Sequence, residues 1–213
     1  MKSRSANLLL RAALGACAGL LALGAHAQSY FGVAIGRAHG SIPSLNTTVL
    51  GIPVTAAADK TNETSYKLYG GYQFTPNWGL ELGYADLGSG YSSNVTIGGL
   101  PGVVTAKADT WYVAATGTLP FRNGFSLLGK IGMASSHVAA ADLCLAGTCF
   151  SMGSESRSQA MYGVGLEYAF AGKWTARLEY EDYGKLTSDD VWGTGDSGAI
   201  KGNSWYLGAR YNF

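Results

Sequence analysis

The stretch YGVGLEYAFAGKWTARLEYEDYG, residues 162–184, carries the clearest structural signal in the chain. Apolar or aromatic residues alternate with small or charged ones on both sides of a short turn between Phe170 and Trp174, which predicts two strands joined as a hairpin. One face of the second strand is apolar and the other is mostly charged: Trp174, Ala176, Leu178 and Tyr180 against Thr175, Arg177, Glu179 and Glu181. The hairpin therefore has one face suited to an apolar environment and one that needs polar partners.

The rest of the chain repeats this two-residue period. Further strands are predicted near 31–35, 66–74, 78–85, 111–119, 125–134 and 205–213, which makes eight strands of about ten residues. Three connections are tight turns between aromatic residues four apart, at 74–78, 121–125 and 170–174. Four are long and rich in Gly, Ser, Thr and Asn, and are predicted to be mobile loops: 38–64, 88–106, 138–158 and 185–203. WGLELGYADLG (78–88) and WTARLEYEDYG (174–184) form a weak internal repeat.

Composition narrows the class of protein. The 213 residues include 31 Gly, 13 Tyr, 5 Trp and 7 Phe, only 14% are charged, and the formal net charge is +1. So many aromatic residues argue against disorder, and the balanced charge gives no support to nucleic-acid binding. A mean hydropathy of +0.08 is too low for a helical membrane protein.

The N-terminus has the features of a secretory signal peptide. Basic residues precede the 14-residue apolar stretch 12–25, which is too short to span a bilayer, and Ala25-His26-Ala27 is a small-x-small cleavage site. We predict cleavage after Ala27, so that 1–27 is the signal peptide and 28–213 the single mature domain. Removing three basic residues leaves 12 basic and 14 acidic, a net charge of −2. A lipoprotein anchored at Cys17 is the alternative, but the apolar run continues past that cysteine.

Eight antiparallel strands could form a soluble sandwich or lipocalin, with the apolar face inward, or an outer-membrane barrel, with that face toward lipid. Three features favour an eight-stranded antiparallel up-and-down transmembrane β-barrel. Charged residues occupy mid-strand positions on the other face, aromatic residues flank the short turns as in an interfacial girdle, and short turns alternate with long loops. Arg37 lies on the apolar face of the first strand and has no explanation in the sequence.

An eight-stranded lumen is only wide enough for its own side chains, so its charges are expected to pair. The predicted interior salt-bridge network consists of Lys67, Glu81, Lys130, Glu167, Arg177, Glu179 and Arg210. The predicted periplasmic aromatic girdle consists of Phe74, Trp78, Phe121, Phe125, Phe170, Trp174 and Phe213. Cys144 and Cys149, an even pair in an exported chain, are predicted to form a disulfide.

On these motifs the chain resembles the transmembrane domain of the outer-membrane protein A (OmpA) family. The resemblance is closest at 162–184 and extends to 78–88, 127–134 and 204–213. It implies that Glu81, Lys130, Glu167 and Arg177 form a salt-bridged plug, and that the last strand, ending at Phe213, is read by the barrel-insertion machinery. The family has a basic residue on the fourth strand where this chain has Thr116, and the family's peptidoglycan-binding domain is expected to be absent.

The favoured function is that of a small monomeric outer-membrane barrel with a structural role. Its loops would contact host surfaces, phage or lipopolysaccharide. We expect no catalytic residues, no metal, no cofactor and no nucleic-acid partner. Two alternatives are a narrow porin-like channel for small solutes and a hydrolase whose site gathers Asp86, His137 and Asp182 at the loop rim.

Overall fold

The computed structural model describes residues 28–42, 44–49, 51–56, 59–89, 91–145, 148–151, 154–186 and 201–213. The predicted signal peptide and most of the predicted fourth loop lie outside them. The described residues form these strands: β1 (Gln28–Ile42), β2 (Leu45–Val49), β3 (Ile52–Ala56), β4 (Asp59–Gln73), β5 (Trp78–Asp86), β6 (Tyr91–Ile97), β7 (Leu100–Pro120), β8 (Phe125–Leu145), β9 (Thr148–Ser151), β10 (Glu155–Ala171), β11 (Trp174–Lys185) and β12 (Lys201–Asn212). No helix among them is long and apolar enough to cross a membrane.

Eight of these strands close into a ring in the order β1, β4, β5, β7, β8, β10, β11 and β12, with β12 returning to β1. All neighbours in the ring run antiparallel, and strands that follow one another around the ring also follow one another along the chain. The predicted eight-stranded antiparallel up-and-down barrel is confirmed.

The three tight turns lie together at one end of the barrel, which we name the short-turn end, and the opposite end is the long-loop end. In one of these turns, Phe125 N donates to Arg122 O at 3.0 Å. The two central residues, Asn123 and Gly124, have φ values of 53° and 82°. Asn-Gly with both φ values positive is the two-residue hairpin turn that matches the twist of the flanking strands.

The long-loop end contains more strand than the sequence pattern predicted. β2, β3 and β6 pair side by side next to β7, and β9 pairs with β8. β7 and β8 each have 21 residues. Irregular mobile loops at 38–64, 88–106 and 138–158 were therefore a wrong expectation, as was a uniform strand length of about ten. Thr and Val in these segments favour strands, and glycines with positive φ, at 51, 98 and 99, occupy the connections.

The apolar face of each barrel strand points outward, and the core lies in the lumen. Along β5 exposed and buried positions alternate without interruption except at one half-buried site. Outward leucine, valine and isoleucine side chains are about half exposed, as Leu82 at 55% and Val113 at 44% illustrate. The buried set inside the barrel consists mainly of tyrosine, alanine, serine, threonine and charged residues, with a few large apolar side chains such as Leu87 and Met161.

Candidate functional site

Strand alternation places charged side chains inside the barrel. Six of the eight ring strands contribute to a group of four acidic and four basic residues, of which none is more than 7% exposed. We name this group the luminal charge cluster; it comprises Glu81, Glu167, Glu179, Glu181, Lys67, Lys130, Arg177 and Arg210. Its formal charges balance, as burial of so many ionised groups in a small volume requires.

Glu81 receives four donors. Lys130 Nζ lies 2.6 Å from Oε1 and Arg177 Nη1 lies 2.7 Å from Oε2. The phenol of Tyr112 donates to Oε1 at 2.8 Å, and that of Tyr30 donates to Oε2 at 2.9 Å. Each carboxylate oxygen thus has one cation and one phenol, an arrangement that offsets the cost of removing the carboxylate from water.

Glu181 belongs to the cluster although it was not among the residues predicted for it. Its Oε1 lies 2.6 Å from Lys130 Nζ and 3.1 Å from Lys67 Nζ, and Tyr183 OH donates to its Oε2 at 2.6 Å. Lys67 and Lys130 also pair with Glu179, the latter at 2.5 Å. The missed signal was the two-residue period of β11, which places Glu181 on the same face as its predicted neighbours.

Arg177 joins this part of the cluster to the short-turn end. Its Nε lies 2.8 Å from Glu167 Oε1, and Arg210 Nη1 shares that oxygen at 3.2 Å. The guanidinium also lies 4.5 Å from the ring centre of Tyr69, within the range of a cation–π contact. All seven residues of the predicted network therefore fall in one connected group, together with Glu181.

Thr116 occupies the position where the resemblance implies a basic residue. It is buried in the lumen, and its partner on the neighbouring strand is Lys130. The lysine that reaches Glu81 thus comes from β8 rather than from β7, one step around the barrel. The acidic residue keeps a lysine partner although the strand that supplies it differs.

Tyrosines fill the space around the charges, and glycines make room for them. A Cβ atom built on Gly71 would lie 2.3 Å from the Tyr30 ring, and one built on Gly83 would lie 2.4 Å from the Tyr112 ring. Since real Cβ atoms do not approach so closely, a side chain at either position would force the tyrosine ring to move, and at Gly71 it would also meet Leu80 O at 2.7 Å. Part of the high Gly and Tyr content thus reflects a lumen in which buried tyrosine rings stand close to glycine backbone.

The lumen changes in character along the barrel axis. Toward the long-loop end, Leu87, Met161 and Leu186 are fully buried and form an apolar layer. Toward the short-turn end is a cavity of about 150 Å³, whose lining includes Glu167 and Arg210. A polar cavity of this size has room for several water molecules. The luminal charge cluster separates the small polar cavity from the apolar layer.

The internal repeat has a structural basis at the long-loop end. Asp86 Oδ1 accepts from Gly88 N at 2.8 Å, and Asp182 Oδ1 accepts from Gly184 N at 2.7 Å. Both glycines have positive φ. In each case the intervening residue, Leu87 or Tyr183, is fully buried. The residue between Asp and Gly thus adds one more side chain to the lumen. The regular strand pairing ends or is kinked directly after it.

Aromatic residues ring the outer surface near both ends of the barrel. The predicted girdle residues are 36–65% exposed and lie at the short-turn end. A second set, which was not predicted from the sequence, lies nearer the long-loop end: Tyr66, Tyr84, Trp111, Tyr162, Tyr180 and Trp205. Arg37 is the cross-strand partner of Trp205, so it lies level with this second set rather than in the middle of the apolar band.

The residues of the hydrolase alternative are only partly brought together. Asp86 and His137 are each cross-strand partners of Asp109, whereas Asp182 lies on β11, three strands away from β7 around the ring. His137 Nδ1 lies 2.8 Å from Ser156 Oγ. A site that includes Asp182 is contradicted by this arrangement. In the described part of the chain, no group of three or more His, Cys, Asp and Glu side chains could hold a metal ion.

Cys144 and Cys149 are cross-strand partners in the β8–β9 hairpin and are joined by a disulfide. We expect reduction to leave the unfolding midpoint of the barrel unchanged, because the bond closes a short ring outside the eight-stranded wall. The comparison is denaturant unfolding in detergent with and without reductant, after mass analysis of the alkylated chain has shown whether the thiols are protected. A lower midpoint on reduction would mean that this hairpin supports the barrel.

The comparisons with known proteins agree with this geometry. A model of the family described as "Outer membrane protein beta-barrel domain" matches residues 13–213. The chain belongs to this family. As an outer-membrane β-barrel protein, it is located in the bacterial outer membrane. Comparison with curated proteins finds no match.

Solved outer-membrane barrels share its fold at low sequence identity. OprG from Pseudomonas aeruginosa is 14% identical, with a TM-score of 0.56, and the match covers 88% of this chain and 97% of that one. The N-terminal barrel domain of OprF from the same organism is 14% identical, with a TM-score of 0.51 and coverages of 87% and 97%. Ail of Yersinia pestis is 20% identical, with a TM-score of 0.50 and coverages of 88% and 99%. At these identities the likeness concerns the fold alone.

Proposed function

We propose that this outer-membrane β-barrel protein has a structural and surface-binding role and does not conduct solutes. The luminal charge cluster carries this proposal. An eight-stranded barrel has room inside for little beyond its own side chains, and here eight charged residues are mutually paired. The short-turn end would face the periplasm and the long-loop end the outside, as in other barrels of this class.

A conducting path would have to cross two dissimilar layers. The ions of the cluster hold one another at 2.5–3.8 Å, so a permeating ion would compete with fixed partners. Beyond them, the fully buried Leu87, Met161 and Leu186 offer no hydrogen-bonding group to an ion that has lost its water. The buried hydroxyl groups of Ser65 and Ser136 are already bonded to other groups of the protein. Both layers support a closed lumen and argue against the porin-like alternative.

Planar-bilayer recording tests the closed lumen. We expect no steady conductance from the folded protein in about 1 M salt, where charges are strongly screened and small currents are visible. Folding is checked in the same sample by heat-modifiable gel migration, in which the unheated barrel migrates differently from the boiled chain. Large, steady channels from a sample that is folded by this criterion would refute the proposal.

The surface-binding role is supported by the strands at the long-loop end. β2, β3 and β6 lie outside the eight-stranded ring, and Val95 and Ala56 are buried between them with Val54, Ile97 and Val104 packed nearby. Ile52 and Leu100, on the face that carries this cluster, remain 47% and 56% exposed. A folded sheet with exposed apolar residues is a surface suited to contact with another protein. Ail, which shares the fold, is described in complex with a heparin analogue.

Shortening this sheet tests the role in binding. We expect cells whose protein has 44–56 and 91–104 replaced by short Gly-Ser turns to lose adhesion to epithelial monolayers while keeping a heat-modifiable barrel. A second, milder variant replaces the exposed residues Ile52 and Leu100 by serine and should lose part of the adhesion. Unchanged adhesion by the shortened protein would assign the protein a purely structural role.

A further inference from the structure

Three basic residues lie on adjacent strands at the long-loop rim of the barrel. Arg37 of β1 is the cross-strand partner of Trp205 in β12, and Lys201 of β12 is the partner of both Ser41 in β1 and Lys185 in β11. Arg37 and Lys201 are exposed, and Lys185 is half-buried. We name Arg37, Lys185 and Lys201 the basic rim.

The basic rim lies on the outward face of the wall. On β12 exposure alternates, with Trp205 and Lys201 exposed and the positions between them that face the lumen buried, as Gly202 and Ser204 are. Cross-strand partners share a face of the sheet, so Arg37 and Lys185 occupy the same outer surface. Charges on this surface face the membrane environment rather than the lumen.

The height of the basic rim matches that of lipid headgroups. Trp205 lies 5.2 Å from the ring of Tyr180, and both belong to the outer aromatic set near the long-loop end. Such aromatic residues mark the boundary between hydrocarbon and headgroups. Arg37 is level with Trp205, and Lys201 is four residues further toward the long-loop end, so the basic rim spans the headgroup layer of the outer leaflet.

The charge on the rim is unevenly distributed around the barrel. Asp182 is the acidic residue next to the basic rim on β11, and its carboxylate already accepts from Tyr162 OH at 2.9 Å and from Gly184 N at 2.7 Å. The carboxylates of Asp86 and Asp109 lie on β5 and β7, on another side of the ring. Among the described residues, the wall formed by β1, β11 and β12 therefore presents more positive than negative charge at headgroup height.

We propose that the basic rim binds the phosphate groups of lipid A, the lipid of the outer leaflet. Arginine forms paired hydrogen bonds with phosphate oxygens, and lysines add mobile positive charge beside it. Trp205 and Tyr180 contact the adjoining acyl region below. The inference rests on the proposed orientation, with the long-loop end outside, and also supplies the missing reason for a cation on the apolar face of β1.

Binding of bisphosphorylated lipid A to the full-length barrel in a neutral detergent tests the site. We expect an increase in unfolding temperature with lipid concentration for the unchanged protein. Each cation near a lipid surface contributes about 1 kcal/mol, which corresponds to about a five-fold change in affinity. Arg37→Gln should weaken binding about five-fold, and Arg37→Gln with Lys201→Gln about twenty-five-fold. Arg122→Gln, at an exposed position in a tight turn of the short-turn end, is the matched control and should bind as before.

Two further measurements identify the ligand. Lipid A from which both phosphates have been removed should lose most of the stabilisation, and inorganic phosphate alone should give little. Equal binding of phosphate-free lipid, equal stabilisation by inorganic phosphate, or equal weakening by Arg122→Gln would each overturn the proposal. Unfolding temperatures of the variants without lipid separate a binding defect from a folding defect. Conductance is measured in a separate experiment. Steady channels would therefore refute the closed lumen without refuting lipid A binding at the basic rim.

Discussion

Replacing Arg177 by methionine is expected to lower the free energy of unfolding by about 3–5 kcal/mol, the cost of breaking a buried ion pair by removing one partner. Methionine keeps much of the apolar stem but removes the guanidinium that contacts both Glu81 and Glu167. Those carboxylates retain Lys130 and Arg210, respectively. The cluster would nevertheless hold one uncompensated negative charge away from water.

Denaturant unfolding of the folded protein in vesicles measures this effect. The control is Lys107→Met, which removes a cation from an exposed position and should change the unfolding free energy little. A second variant, Arg177→Met with Glu167→Gln, restores the balance of charge and should recover part of the loss. Equal midpoints for Arg177→Met and Lys107→Met would show that the luminal charge cluster contributes nothing to stability.

Gly132→Ala is expected to have the second large effect. A Cβ atom at this position of β8 would lie 2.1 Å from Val113 O and 2.6 Å from Ala114 Cα. Both are backbone atoms of β7, so no side-chain rotation relieves the overlap and the two strands must move apart. Overpacking of this kind costs about 1–3 kcal/mol, and occasionally more.

The same strand provides the control. Gly129 has no atom within 4 Å of the corresponding Cβ position. Gly129→Ala should therefore leave the barrel as stable or stabilise it slightly, because alanine restricts the unfolded chain more than glycine does. Heat-modifiable gel migration and denaturant midpoints compare the two variants. Equal stability of the two would mean that the β7–β8 ladder adjusts to a side chain at position 132.

The barrel strands were predictable because each depends on a local pattern. In β5 and β11 the alternation of apolar and polar residues identifies both the strand and its two faces. The charged face identified seven of the eight residues of the luminal charge cluster. Glu181 could have been predicted by the same reasoning, since it lies two residues from Glu179 on the same strand.

The structure at the long-loop end was not predictable in the same way. The segment 91–97 has many polar residues and weak alternation, so it resembles a loop. It forms β6 because β7 continues beyond the ring and offers an unpaired edge from Ala106 to Leu100. Likewise, nothing in the sequence indicates that Asp109 rather than Asp182 is the neighbour of His137, since neighbours across strands depend on register.

Local sequence patterns were enough to establish the eight strands, the outward direction of their apolar faces and the charged character of the lumen. These properties follow from alternation along a single strand and need no information about its neighbours. Ring closure and register then determined which charges meet, which strand supplies the lysine opposite Thr116, and where Arg37 lies relative to Trp205. Pairing joins residues that are far apart in the chain, so these contacts arise only when the barrel closes.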